Sequence, residues 1–249
     1  MRWRRWAALA LVVELTPLAA ACGHEQVVRT PEASPGELAA RYAAARQRLE
    51  QERERLAVRW QAAATDVAAR AAVLREARQV VWRAVRDDLV PSWLGTPWTF
   101  NGHTVTPGQG SIACGYFVTT VVRDAGFDID RIGLAQAVSE KIILTLAPPA
   151  ATWRFSDRDA ADVLAEVRAA GGDGLYAVGL DHHAALLVLD GERADLCHAS
   201  FYGGRAVACE DADAAHGFVS RYRVIGKLFE AQMLVPWLEG AHIASADAP

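Results

Sequence analysis

WTFNGHTVTPGQGSIACGYFVTTVVRDAG, residues 98–126, decides how this chain is read. A loop punctuated by Gly102, Pro107, Gly108 and Gly110 runs into Cys114, and from there Phe117, Val118, Val121 and Val122 recur at helical spacing. Gly126 suits the C-terminal cap of that helix. A thiol at a helix start meets unpaired backbone N–H groups and the positive end of the helix dipole, and both favour the thiolate. Cys114 is therefore a candidate nucleophile. A free cysteine also packs as a small apolar residue, so partners elsewhere in the chain carry the decision.

Upstream, residues 92–110 are loop-rich and set Trp93, Trp98 and Phe100 among glycines and prolines, where aromatics line a cleft or cover a core. Downstream, one helix is expected over 133–146, stopped by Pro148 and Pro149. A further helix is expected to start near Ser156, with Ser156 and Asp159 at capping-box spacing and a stripe of Ala160, Val163, Leu164 and Val167. Gly171 and Gly172 end it. From Gly174 the pattern turns to strands: 175–179, 184–189, 194–201, 206–209 and 218–225 are short apolar or alternating runs, with Asp190-Gly191 and Gly203-Gly204 as hairpin turns. Helices first and an antiparallel sheet afterwards make an α+β fold. The last residues, from Ala241, are small and polar and read as frayed.

A nucleophilic cysteine needs a base, and the base needs an orienting group. Histidine suits the first role because its pKa lies near working pH. His183 opens one strand and His198 lies in the next. With Asp190-Gly191 as the turn, the two rings share one face, and the helix carrying Cys114 is expected to pack against that face. His182 points the other way from His183, which disfavours a metal site built from the three. His103 and His216 read as surface residues. The cysteines at 22, 114, 197 and 209 lack paired C-x-x-C spacing, so neither a structural zinc nor any other cofactor is expected. Cys197 and Cys209 lie almost symmetrically about the Gly203-Gly204 turn, and a disulfide between them would lie on the side away from His198.

The 249 residues are 52% hydrophobic with a net charge of −4, enough for one large domain or one domain with an appended element. The first 22 residues read as an export segment. Arg2, Arg4 and Arg5 precede an apolar run to Ala21 that is too short to span a membrane. Small residues before Cys22 resemble a bacterial lipoprotein processing box, which implies lipidation of Cys22 and a lipid anchor in the cell envelope; plain signal cleavage is the alternative. Residues 23–36 read as a linker. Residues 37–90 form a helical extension whose stripe is Leu38, Tyr42, Ala45, Leu49, Leu56, Trp60, Ala63 and Val67. A second series from Val73 to Leu89 is expected to stop at Pro91. The opposite face interleaves Arg and Glu, which argues against nucleic acid and fits a helix docked on its own domain or offered to a protein partner.

Residues 94–200 resemble the NlpC-type papain-like cysteine peptidases, bacterial cell-wall hydrolases. Leu94-Gly95-Thr96-Pro97-Trp98 resembles the family's entry motif. Ala113-Cys114-Gly115-Tyr116-Phe117-Val118 is similar to its Asp-Cys-Ser-Gly-Phe-Val nucleophile motif. His183-Ala184-Ala185-Leu186 and Cys197-His198-Ala199-Ser200 are similar to its two histidine strands. The resemblance implies a papain-like catalytic domain over 91–240 with Cys114 as nucleophile, His183 as base and His198 as orienting residue. It also implies a nucleophile-bearing helix packed on an antiparallel sheet. Ala113 and Gly115 depart from the motif's acid and serine, both at positions that shape the family's cleft. Trp98, Gln109 and Tyr116 are the candidate substrate-binding residues. Gln109 is included because a glutamine shortly before the nucleophile is similar to the oxyanion-hole glutamine of papain-like enzymes.

The leading expectation is thus an exported cysteine hydrolase that cleaves peptide or isopeptide amides of peptidoglycan through a thioester. An acyl transferase using the same Cys-His pair is the second reading. A non-catalytic wall-binding module built on the long helix is the third.

Overall fold

A computed structural model describes residues 34–202 and 204–247. The expected export segment with Cys22, the linker up to residue 33 and Gly203 of the expected turn lie outside the described residues. Helix α1 (Pro35–Ala63) begins earlier than the sequence reading allows. Ser34 caps it and accepts from the Glu37 N–H, Glu37 reaches back to the Ser34 N–H, and Pro35 sits at the first helical position. Helix α2 (Val67–Arg83) starts at the Asp66 cap. It continues through a π-helical turn (Ala84–Leu89) into α3 (Val90–Trp93), so Pro91 does not stop it. The widened turn relieves the clash that a proline ring makes with the preceding turn.

The apolar stripe of α1 is covered inside this chain. Tyr42, Leu49, Leu56 and Trp60 share one core with Val73, Ala77 and Val81 of α2 and with Phe117, Val118 and Val121 of α4 (Cys114–Asp124). Burying each such large side chain contributes about 1.5–3 kcal/mol. At the far end of α4 the Tyr42 hydroxyl donates to buried Asp124 over 2.9 Å, and Arg46 and Arg123 balance its charge.

The expected helix over 133–146 is two helices, α5 (Arg131–Ala135) and α6 (Ser139–Leu146). A strand that the sequence reading missed, β1 (Thr152–Ser156), follows, so Ser156 ends a strand and caps nothing. Helix α7 (Ala160–Gly171) begins at Asp159, whose side chain makes no capping bond. Next come β2 (Gly174–Leu180), β3 (His183–Asp190), β4 (Arg193–Ala199), β5 (Val207–Asp211) and β6 (Tyr222–Lys227). Phe218, expected in the last strand, lies in a 3-10 turn (His216–Phe218). Helix α8 (Ala231–Glu239) closes the chain despite Pro236.

The sheet is antiparallel throughout, in the order β1-β6-β2-β3-β4-β5. One face, with Leu175, Ala184, Leu186, Val188 and Cys197, joins the core under α4 and α6. The other, with Tyr176, Val178, Leu187 and Leu196, packs on α7 and Phe218. The tail is pinned rather than frayed: the Ile243 N–H donates to the Asp128 carbonyl over 2.8 Å, and Ile243 is buried. Among the described residues no helix is long and apolar enough to cross a membrane.

Candidate active site

The loop before Cys114 is held by backbone hydrogen bonds. Trp98 N–H donates to the Arg205 carbonyl, Ile112 N–H to the Pro97 carbonyl, and Ala113 N–H to the Gly102 carbonyl, over 2.7, 2.9 and 2.8 Å. This fixes Ala113 as the N-cap of α4, where its side chain offers no acceptor. The first helical bond is Phe117 N–H to the Ala113 carbonyl. The N–H groups of Cys114, Gly115 and Tyr116 thus have no acceptor among the described residues, the arrangement that can hold a negatively charged oxygen. The Cys114 thiol is free and half-buried.

Gly115 has a local cause. A Cβ there would overlap the carbonyl oxygen of Ala135 at the end of α5.

Cys114 and His183 line one cleft of about 1100 Å³. No hydrogen bond joins the two side chains. The His183 Nε2 lies 2.8 Å from His198 Nδ1, with the rings edge-to-face, so Nδ1 is the His183 nitrogen left without a partner among the described residues. Burial pushes His183 down to about 4. Burial, together with the neighbouring His183, pushes His198 down to about 3. Both rings are therefore neutral near pH 7, and His183 is a base that stays free of its proton well into the acid range.

The pairing of the rings matches the expectation, but their face does not. His183 has the parity of Ala185 and Leu187, and His198 that of Leu196, which all belong to the α7 side of the sheet. The ring of His198 lies under the 216–218 turn, where a Cβ on Gly217 would come within 2.7 Å of its Cε1. Helix α4 packs its apolar side on the opposite face. Cys114 shares the cleft with His183 at the start of β3, while His198 lies behind His183 and does not line it. The same alternation puts the Cys197–Cys209 disulfide on the face away from His198, between residues paired in register on β4 and β5.

Trp98 and Tyr116 line this cleft; Gln109 does not. Gln109 is exposed on a turn whose neighbour Gly108 donates its N–H to Thr96 Oγ1 and lies against Pro35, which holds this part of the loop apart from the thiol. His103 and His216 are exposed, as the sequence suggests, and both also line the cleft. His103 lies beside Tyr116, which receives the Gln136 amide at its hydroxyl and the Arg131 guanidinium over its ring. A wall of aromatic rings runs Trp98–Phe201–Tyr202–His216, with centroids 5.8, 5.9 and 4.4 Å apart in turn. Phe201 and Tyr202 follow Ser200 directly, so their place after the second histidine strand was a signal in the sequence.

His182 is exposed at the β2–β3 turn, and among the described residues no group of three His, Cys, Asp or Glu could hold a metal ion. The chain matches no family model and no curated protein.

Proposed function

We propose that the protein is a papain-like cysteine hydrolase acting on amide bonds. The observation that supports this reading is a free thiol at the start of α4, beside unpaired N–H groups, in one cleft with a neutral histidine whose Nε2 is held by a second. Binding of a carbonyl beside Cys114 brings the thiol proton to His183 Nδ1 and sulfur to the carbonyl carbon. The N–H of Cys114 receives the developing oxyanion. Collapse of the adduct breaks the C–N bond as His183 returns the proton to the leaving amine. Water, deprotonated by His183, then hydrolyses the thioester and frees the thiol. The substrate class is a peptide or isopeptide amide, with peptidoglycan stem peptides as the first candidates. The site of action is the cell envelope, reached by export and held there through a lipid on Cys22.

The test is incubation of the protein with purified peptidoglycan, followed by mass analysis of the released fragments. Amide-cleaved fragments are expected with wild type and none with Cys114→Ala. Full activity of Cys114→Ala would sink the reading. Fragments extended by an added amine would assign transfer in place of hydrolysis.

A further inference from the structure

Two buried polar groups near the cleft have no partner and face one another. His198 Nε2 is buried without a hydrogen bond. Glu210, on β5, is 8% exposed, and its carboxylate makes no hydrogen bond among the described residues. The two are 3.8 Å apart, Nε2 to Oε2. The register sets this up: Cys197 pairs with Cys209, so His198 and Glu210 stand diagonally on one face of adjacent strands. A buried carboxylate is costly unless it is paired, and a closer approach of about 1 Å would satisfy both groups at hydrogen-bond length.

We propose that Glu210 is a positioning residue for the base, acting through His198. The inference rests on the hydrolase reading above. Glu210 accepts the Nε2–H of His198 and so fixes that ring as the Nε2–H tautomer. His198 Nδ1 is then a lone pair that accepts the Nε2–H of His183. His183 Nδ1 is left as the lone pair that takes the thiol proton. When His183 becomes cationic, a carboxylate at Glu210, two hydrogen bonds away, stabilises it. Among the described residues, His216 on the turn above is a further titratable group acting on Glu210. Burial raises the Glu210 carboxyl and a charge on His216 lowers it. The disulfide one residue before Glu210 ties β5 to β4 and holds the pair in register.

The test reads the thiol directly and needs no substrate. The full chain is treated with iodoacetamide across pH 4–9, and the rate is followed by mass on the peptide containing Cys114. Wild type is expected to react faster at pH 6 than the urea-unfolded chain. Glu210→Gln, which removes the charge and no longer enforces an acceptor, is expected to slow the plateau by about 10-fold or more, a fraction of what a correctly positioned base contributes. It should also move the acidic limb to lower pH. Glu210→Asp keeps a carboxylate and is expected to restore most of the rate. A purely structural role would lower Tm and leave the pH profile of the folded protein in place. Wild-type activation with an unchanged Glu210→Gln profile overturns the role of Glu210 alone. A wild-type thiol no faster than the unfolded one overturns the hydrolase reading and this inference together. Nitrogen-15 shifts of His198 in the unmodified protein give a check independent of any variant. The Nε2–H tautomer is expected, and Nδ1–H overturns the proposal.

Discussion

At the scale of single residues, the histidine pair links the chemistry to stability. His183 and His198 are held at about 4 and about 3, below the ordinary value near 6.5. Between those values the unfolded chain binds more protons than the folded one, so their contribution to stability is full above pH 6.5 and is lost as pH falls towards 4. Thermal unfolding across that window should show Tm falling, and His198→Gln should flatten the fall. A Tm independent of pH from 7 to 4 would contradict the buried neutral pair. The same depression keeps His183 unprotonated in mild acid, so the acidic limb of kcat/KM is expected near pH 4 rather than near 6.5. Gly115 gives a second prediction. Gly115→Ser drives a Cβ into the Ala135 carbonyl and should cost about 1–3 kcal/mol in denaturant unfolding.

Among the elements, the β4–β5 ribbon is the piece most open to a direct test. Its disulfide joins residues 12 apart in sequence, and closing so short a loop in the unfolded chain contributes about 3 kcal/mol in the chain-entropy account. The paired Cys197→Ala, Cys209→Ala variant should lose about that much stability by urea titration. It should also lose activity beyond what the lower stability explains if the ribbon holds His198 and Glu210 in place. Helix α4 was legible because the glycine-punctuated loop before it, its apolar stripe and its final glycine are all local signals. Strand β1 was not, because only Phe155 among its five residues is buried and its pairing with β6 reaches residue 226. Helix α8 was hidden by Pro236, which is tolerated where Trp237 donates to the Ala125 carbonyl and Leu234 and Leu238 fill the core.

For the whole molecule, the N-terminal helices and the sheet-bearing part share one core. Leu56→Ala on α1, fully buried, should cost about 2–5 kcal/mol and leave a single unfolding transition monitored at helix and sheet alike. Two separate transitions would show that the helices fold as an appendage. The sequence alone determined the helix opening at Cys114, the strands between 174 and 199, the hairpin at Gly191 and the pairing of His183 with His198. Each of these is written in spacing along a short stretch, with period 2, period 3.6 or a turn residue. Only the tertiary structure decided that the histidines lie on the α7 face while α4 packs on the other. It also decided that Gln109 stays outside the cleft while His103 and His216 enter it, and that the tail is pinned by Ile243. Alternation fixes which residues share a face but not which helix covers it. That choice is made by buried contacts between segments far apart in the chain.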